Sequence, residues 1–365
     1  MPTPTVSRTT SRTGSRRRHR GGADAQDHQR LMMNGYCYLA LLSLTLACPQ
    51  AAAQGAVDLG APDPTKVVGP DSCAKCHGAE LAQWKQTPHA QTFEQLHRLP
   101  EAKAIADRLG GGSIKRNDTC VECHYTQQQV RGRDRVVAGV SCESCHGAAR
   151  DWLEMHADYG GAGITRETES PAHRQQRRDR SIAAGMNNPS NLYLVARQCL
   201  SCHTAPNERL VNVGGHKPGT TDFELVSWSQ GKVRHNFLSG AGQNAPSPLP
   251  RIRLMYVVGL MADLEMSLRA TAGATEAATF GQTAAARAAD RKQRLWEVQR
   301  RLNDPRVAAA LAPLADLELR LGAGDEIRAA ADAVGAAAFE FARDADGAQM
   351  QAIDDLLPPP SSYKY

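Results

Sequence analysis

Cys142-Glu-Ser-Cys145-His146 is one of four stretches in this chain in which two cysteines separated by two residues are followed directly by a histidine. Because each thiol can add to one vinyl group of a haem while the histidine binds the iron, the pattern predicts c-type haem attachment. We therefore predict four covalently bound haem c groups with their iron. The other three copies are Cys73-Ala-Lys-Cys76-His77, Cys120-Val-Glu-Cys123-His124 and Cys199-Leu-Ser-Cys202-His203.

Paired cysteines have two other common uses in proteins. They build zinc sites, and they form redox-active dithiols. Neither use requires a histidine directly after every pair, whereas the haem attachment motif contains one each time. Covalent haem is therefore the favoured interpretation, and a zinc site or a redox dithiol is the alternative.

The aromatic content is low for a chain of this length. Trp, Tyr and Phe make up only 5% of the 365 residues. Haem macrocycles are large, flat and apolar, so they would replace the missing aromatic core. Between the motifs, residues 67–250 are rich in Gly, Pro, Asn and Ser, which favours turns over long regular elements. We therefore predict a mainly α fold, with an irregular multihaem domain over residues 67–250 that has few or no strands.

The first 53 residues have the pattern of an export signal. A basic segment that ends at Arg30 is followed by an uncharged stretch over residues 31–53, which closes with three alanines suited to cleavage. We predict removal of residues 1–53, a linker over residues 54–66 and a periplasmic location. An uncleaved membrane anchor, lipidation at Cys48 and a later start codon are the alternatives.

Removal of this segment changes both the charge and the cysteine count. Residues 1–53 hold seven Arg and two Asp, so they carry the whole formal net charge of +5. The remaining chain is near neutral, and two propionates on each haem would make it acidic. A nucleic-acid partner is therefore not expected. Cys37 and Cys48 leave with the segment, so every remaining cysteine lies in a haem motif.

Six histidines outside the motifs remain as candidates for the second iron ligand. An iron held by two histidines carries electrons, whereas an iron with an open axial position can bind a small molecule. Thr87 and Pro88 predict a helix start that would hold His89 rigidly. We interpret His97, on an amphipathic helix, and His173, in a basic loop over residues 174–180, as surface or packing residues. The four favoured ligands are His89, His156, His216 and His235.

Two stretches of the chain resemble the tetrahaem cytochrome c-554 family. They are Pro70-Asp-Ser-Cys-Ala-Lys-Cys-His77 with Trp84 and Thr87-Pro-His89, and Gly139-Val-Ser-Cys-Glu-Ser-Cys-His-Gly147 with Trp152 and His156. The resemblance covers residues 67–240. Members of this family carry electrons from hydroxylamine oxidoreductase towards the quinone pool. The resemblance therefore implies a donor similar to that enzyme and an acceptor that is a membrane quinone-linked cytochrome.

The resemblance also implies which histidine faces which haem. Carried over from the family, His89 would bind the third iron, His156 the fourth and His235 the first. The second haem, on His124, is five-coordinate in the type member of the family. In this chain His216 can close that second site, and a small nitrogen ligand is expected there only if it does not.

The composition changes beyond residue 250 to Ala, Leu and Arg with a helical period. We predict a helical bundle over residues 251–345, with helices over residues 255–268 and 284–302. A third helix should start at Asp304 and Pro305, and a fourth should bury Ile327, Val334 and Phe341 on one face. Residues 346–365 are predicted to be a disordered tail.

These observations leave three functions open. The favoured one is an electron carrier between redox proteins, with electrons passing along a chain of haems. The second is an oxidoreductase that acts on nitric oxide, hydroxylamine or nitrite at an open second haem. The third is a subunit of a larger redox complex that is anchored through the C-terminal helices. A non-catalytic carrier is favoured over an enzyme, and no catalytic residue is predicted.

Overall fold

The computed structural model describes residues 62–219 and 222–365. The predicted export signal, with Cys37 and Cys48, lies outside the described residues. The described part is mainly α-helical with one two-stranded hairpin, which confirms the predicted fold class. In chain order its elements are α1 Pro70–Cys73, α2 Gly78–Trp84, α3 Pro88–Gln95, α4 Pro100–Arg108, α5 Asp118–His124, β1 Thr126–Val130, β2 Arg133–Ala138, α6 Cys142–His146, α7 Pro171–Ala183, α8 Leu192–His203, α9 Glu208–Asn212, α10 Leu225–Ser229, α11 Leu249–Ala272, α12 Thr279–Leu302, α13 Pro305–Leu311 and α14 Gly324–Asp344.

Three helices begin with a capping side chain directly before a proline. The hydroxyl oxygen of Thr87 accepts from the amide of Ala90 at the start of α3, as predicted. Asp304 caps α13 in the same way, also as predicted. Ser170 caps α7, which begins at Pro171. The predicted basic loop over residues 174–180 is therefore wrong, because the same Ser-Pro signal starts a helix there.

The hairpin of β1 and β2 joins the second haem motif to the third. Its tight turn is made by Arg131 and Gly132, both with positive φ, as two-residue hairpin turns require. The buried hydroxyl of Thr126 at the start of β1 donates to the carbonyl of Gly139, 2.8 Å away. This bond ties the end of α5 to the start of α6, so the hairpin holds the two motifs side by side.

The largest hydrophobic core lies among α8, α11, α12, α13 and α14. Leu200 of α8, Leu264 of α11 and Leu295 of α12 are almost fully buried in it. The predicted apolar face of the last helix is confirmed, since Ile327, Val334 and Phe341 are buried there. The helix α8, which ends in the fourth haem motif, thus shares a core with the C-terminal bundle. This core contains residues from both sides of position 250, where the sequence predicts a domain boundary.

Two buried ionic networks run through the same helices. Asp263 of α11 accepts hydrogen bonds from the guanidinium groups of Arg287 and Arg291 of α12. Two residues further along α11, Glu265 accepts from Tyr193 and Arg197 of α8. Because buried charges are tolerated only when they are paired and hydrogen-bonded, these contacts fix how α8 lies on the bundle.

The C-terminal segment over residues 346–365, predicted to be disordered, follows a defined path. Leu356, Leu357 and Tyr363 pack against the main core. The amide of Lys364 donates to the carbonyl of Ser227 at 3.0 Å, and its carbonyl accepts from the amide of Lys232 at 2.8 Å. The apolar side chains and these backbone bonds hold the segment on the protein. Within residues 62–219 and 222–365, no helix is long and apolar enough to cross a membrane.

Candidate haem sites

Each haem motif is wound into a helical turn. The second, third and fourth motifs end α5, α6 and α8, so that His124, His146 and His203 are the last residues of these helices. In the first motif, α1 ends at Cys73 and the amide of His77 donates to the carbonyl of Cys73 at 2.9 Å. Residues three and four positions apart lie on one helix face, so both cysteines and the histidine of each motif point to the same side.

Each motif histidine lies opposite one of the four predicted second ligands. In every pair the ring centres are separated by nearly the same distance, while the angle between the ring planes varies widely. The pairs are His77 with His156 at 6.3 Å and 22°, His124 with His216 at 6.2 Å and 52°, His146 with His235 at 6.2 Å and 84°, and His203 with His89 at 6.2 Å and 55°.

This separation is the one that two imidazoles need to hold a single metal ion between them. A bond from a metal to a histidine nitrogen is about 2.0–2.1 Å long, and the ring centre lies about 1.1 Å behind that nitrogen, which places two opposed ring centres about 6 Å apart. Rings in direct stacking contact would be closer. The uniform spacing of four pairs with four different ring angles is therefore typical of axial iron ligation.

Backbone carbonyls orient several of these rings through Nδ1. His216 contacts the carbonyl of Lys217 at 2.7 Å, His235 that of Val233 at 2.7 Å, and His146 that of Asn187 at 3.3 Å. His156 makes the same contact with Leu153. A carbonyl only accepts, so Nδ1 carries the proton and Nε2 keeps the lone pair that a metal requires.

Burial keeps the rings of the second, third and fourth motifs neutral. It lowers the pKa of His124, His146 and His203 to about 4. The nearby ring of the paired His216 or His235 lowers the pKa of His124 and His146 further. A neutral imidazole is the form that binds a metal, so the rings are ready to ligate iron at neutral pH.

Two buried indole nitrogens beside the histidine pairs have no hydrogen-bond partner in the described structure. They belong to Trp152, whose ring lies 5.2 Å from His156, and to Trp228, whose ring lies 5.6 Å from His203. Buried donors normally find an acceptor. Haem carries propionate oxygens that can accept such bonds, so the residues present fit the cofactor that the motifs predict.

Thiols of different motifs approach one another. Cys73 of the first motif is hydrogen-bonded to Cys142 of the third, and Cys123 of the second is hydrogen-bonded to Cys202 of the fourth. Burial raises the pKa of Cys145 in the third motif, and the nearby Cys199 and Cys202 of the fourth motif raise it further. The motifs are therefore neighbours in the order first, third, fourth, second.

The loop that carries His216 is fixed from the opposite side by α4. Nε of Arg108, the last residue of α4, donates to the carbonyl of Gly214 at 2.8 Å. Gly215 has a positive φ of 67°, which favours glycine there. The amide of His216 returns to the carbonyl of Leu210 at 3.1 Å. These contacts hold the ring of His216 facing His124.

The structure pairs three of the predicted ligands differently from the pairing that the family resemblance implies. His89 faces the fourth motif instead of the third, His156 the first instead of the fourth, and His235 the third instead of the first. Sequence separation does not determine which of several neighbouring irons a histidine faces. The contact of His216 with the second motif is the one that the sequence proposed.

The remaining histidines lie outside these pairs, and one aromatic contact was not predicted. His97 lies on the short 3-10 helix Leu96–Arg98, and His173 binds the buried carboxylate of Glu169 at 2.7 Å. Phe223 stacks on His203 with ring centres 4.4 Å apart and an angle of 22°. Phe223 lies in a loop and belongs to no motif, so the sequence does not indicate its contact with His203.

The zinc alternative requires three or four ligating side chains around one point. No group of three or more His, Cys, Asp or Glu side chains that could hold a metal ion occurs in the part of the chain that the structure describes. The motif residues instead form opposed pairs of histidines flanked by cysteines, an arrangement that suits a flat cofactor between two axial ligands.

Comparison with known proteins agrees with this geometry. Residues 72–147 match the family described as cytochrome c554 and c-prime. Cytochrome c-554 of Nitrosomonas europaea is 32% identical over 102 residues, which are 26% of this chain and 43% of that relative. The chain thus spans less than half the length of the curated relative that it matches. No solved structure gives a significant match.

The four motifs and the opposed histidine pairs are those of a c-type cytochrome, a class of protein that binds haem c covalently, and the comparison agrees with them. Over residues 72–147 the chain is similar to the cytochrome c554 and c-prime family, which agrees with the resemblance seen in the sequence. The match includes the first three motifs and ends at residue 147. The fourth motif lies beyond it and rests on its own sequence pattern and on the pairing of His203 with His89.

Proposed function

We propose that this chain is a periplasmic tetrahaem electron carrier in which all four irons have two histidine ligands. The observation that carries the proposal is the set of four opposed histidine pairs with ring centres 6.2–6.3 Å apart. Haem, when bound, supplies an iron that gains and loses one electron. Two strong axial ligands leave no position for a substrate, so such a site passes electrons without chemistry on a bound molecule.

The contacts between motifs support a path for the electrons. With the first motif touching the third and the second touching the fourth, the sites follow one another in the order first, third, fourth, second. The first site is the more open end, because Cys76 is exposed. At the other end both cysteines of the second motif, Cys120 and Cys123, are half-buried. We therefore place an exchange point with a redox partner at the first motif.

Redox protein partners are expected for a member of this family. We propose a donor similar to hydroxylamine oxidoreductase and an acceptor that is a membrane quinone-linked cytochrome. The periplasmic location rests on the export pattern of residues 1–53 and on the need to attach haem c after export. The anchored-subunit hypothesis would instead use the surface of the C-terminal bundle, on which Trp296 is an exposed aromatic residue.

The alternative of an oxidoreductase acting on a small nitrogen compound needs an open axial position. Of the four sites, the second is the one that corresponds, by the resemblance, to the five-coordinate haem of the family's type member. The ring of His216 occupies the position opposite His124 in this chain, and backbone contacts on both sides of His216 hold it there. The geometry therefore favours the carrier.

The test combines an intact mass of the exported protein with its ferric spectrum. The expected mass is that of residues 54–365 with four haems, and the expected spectrum is low-spin for every iron. A mass with fewer haems would overturn the tetrahaem assignment. A high-spin component that shifts with cyanide or nitric oxide in the unmodified protein would overturn the carrier and support the oxidoreductase.

A further inference from the structure

His156 lies on a weak element of the chain. It is the middle residue of the three-residue 3-10 helix Met155–Ala157, which has no side-chain cap and no buried residue. Such short helices have poor hydrogen-bond geometry. A loop with positive φ at Gly160, Gly161 and Gly163 follows directly. Local structure alone would not hold the ring of His156 opposite His77.

A buried ion pair lies at the far end of that loop. Glu169 has a fully buried side chain, and Arg177 of α7 binds it through two parallel bonds, from Nε at 2.7 Å and from Nη2 at 2.6 Å. A two-point bond of this kind fixes the plane of the guanidinium group, which a single ion pair would not do. Arg177 also lies over the ring of Tyr159, 4.8 Å from its centre.

The third nitrogen of the same guanidinium group reaches the backbone of His156. Nη1 of Arg177 donates to the carbonyl of His156 at 2.6 Å. One arginine thus joins the short helix before the glycine-rich loop to Glu169 near the loop's end, and Glu169 fixes the direction in which Nη1 points. The ring of His156 is meanwhile oriented by its Nδ1 contact with Leu153.

We propose that Glu169 and Arg177 are positioning residues for the second ligand of the first site, which together clamp the backbone of His156 so that its ring stays opposite His77. The proposal rests on the proposed function in one respect, namely that His156 is an iron ligand. The clamp lies outside residues 72–147, the stretch that matches the known family. It therefore assigns a role to α7 that the comparison does not supply.

The experiment measures the ferric spin state and the rate of cyanide binding in the full-length holoprotein. Arg177→Gln removes the bond to His156 and should produce the high-spin signal of one haem, with cyanide binding at least tenfold faster. Arg177→Lys keeps the charge but cannot form the planar two-point bond, so it should behave like Arg177→Gln. Glu169→Gln should give a smaller change in the same direction, because it leaves the Nη1 bond in place without its fixed direction.

Arg174→Gln is the matched control. Arg174 lies one turn earlier on the same helix and is 3.5 Å from the same carboxylate, but its side chain bonds to the carbonyls of Arg166 and Glu169 and not to His156. It should leave the spectrum low-spin. A low-spin spectrum and unchanged cyanide binding in Arg177→Gln would overturn the clamp, as would an equal change in Arg174→Gln.

His156→Ala separates failure of the clamp from failure of the ligand assignment. If His156 is a ligand, this variant is high-spin, and added imidazole should restore the low-spin spectrum both here and in Arg177→Gln. Combining the two substitutions should add nothing to the effect of His156→Ala alone. A low-spin His156→Ala protein would overturn the ligand assignment and the clamp together, whereas a high-spin His156→Ala beside a low-spin Arg177→Gln would overturn the clamp alone.

Discussion

The imidazole of His216 lies opposite that of His124, with ring centres 6.2 Å apart, although His216 is 92 residues further along the chain and belongs to no haem motif. By the resemblance of residues 67–240 to the cytochrome c-554 family, this second site corresponds to the haem that is five-coordinate in the type member of that family. A closed second site would make this chain a carrier, so the role of His216 decides between the functions proposed for it.

Replacing His216 with Ala should open the second site. The ferric spectrum should gain the high-spin signal of one haem, and that haem should bind cyanide or nitric oxide, which the unmodified protein should not do at a comparable rate. Absorption and electron paramagnetic resonance spectra of the purified holoprotein check both points. Lys217→Ala is the control, because Lys217 is exposed and contacts His216 only through its backbone carbonyl. Equal spectra for the two variants would contradict ligation by His216.

The sequence supplied candidate residues for the haem sites but not their arrangement. The five-residue motif, with two thiols and one imidazole, is local, so each copy can be recognised directly in the sequence. The helix start at Thr87 and Pro88 is also local, and the structure confirms it. Which histidine faces which motif depends on contacts such as those of Thr126 with Gly139, between residues far apart in sequence. Three of the pairings implied by the family therefore differ from the structure.

The same distinction holds for the fold. Helical periodicity predicted the buried face of α14, because the spacing of its apolar residues is enough to define that face. The disordered tail was predicted from the prolines at positions 358–360 and the terminal position. Its path depends instead on a surface elsewhere in the chain, where Ser227 and Lys232 offer free backbone groups to Lys364. The sequence of the tail alone therefore could not predict that it packs against this surface.

The buried network around Asp263 should contribute strongly to stability. Its carboxylate, 5% exposed, accepts from Arg287 at 2.6 and 2.9 Å and from Arg291 at 2.7 Å. Asp263→Asn removes the negative charge between two buried guanidinium groups and should lower the free energy of unfolding by about 3–5 kcal/mol. Chemical denaturation of the holoprotein measures this difference.

Asp332→Asn provides the comparison for that variant. Asp332 is 59% exposed and binds Arg269 at 2.7 Å on the surface of the same bundle. An exposed pair contributes less than about 1 kcal/mol, so this substitution should change the free energy of unfolding little. Similar losses in the two variants would show that burial of the network is not what makes Asp263 important.

Acid should weaken the contact that holds Glu169. Hydrogen bonds from Arg177, and then from His173, lower the pKa of this carboxylate from 4.5 to about 2. The unfolded chain therefore binds a proton more readily than the folded one, so this contribution to stability is complete above pH about 4.5 and is lost as the pH falls towards 2. The groups that face Glu169 are His173, Arg174 and Arg177, all of them basic side chains.

Glu169→Gln should consequently flatten the acid dependence of stability between pH 4.5 and 2. Denaturation midpoints measured across this range check the slope. Glu318→Gln is a suitable control, because Glu318 is 79% exposed and should leave the slope unchanged. An identical slope in the unmodified protein and in Glu169→Gln would contradict a depressed pKa at Glu169.

The C-terminal segment should stabilise the region between the third and fourth sites. Lys364 forms backbone bonds with Ser227 and Lys232, which flank Trp228 beside His203 and lead into His235. Deleting residues 359–365 removes both bonds and should cost about 1–3 kcal/mol of unfolding free energy, with faster amide exchange over residues 227–235.

Gly231→Ala should act in the same direction, because a Cβ there would lie 2.2 Å from the carbonyl oxygen of Lys364 and displace the segment. Deleting Tyr365 alone, which is 74% exposed, should have no such effect. Unchanged exchange in both the deletion and Gly231→Ala would show that the segment merely rests on this surface.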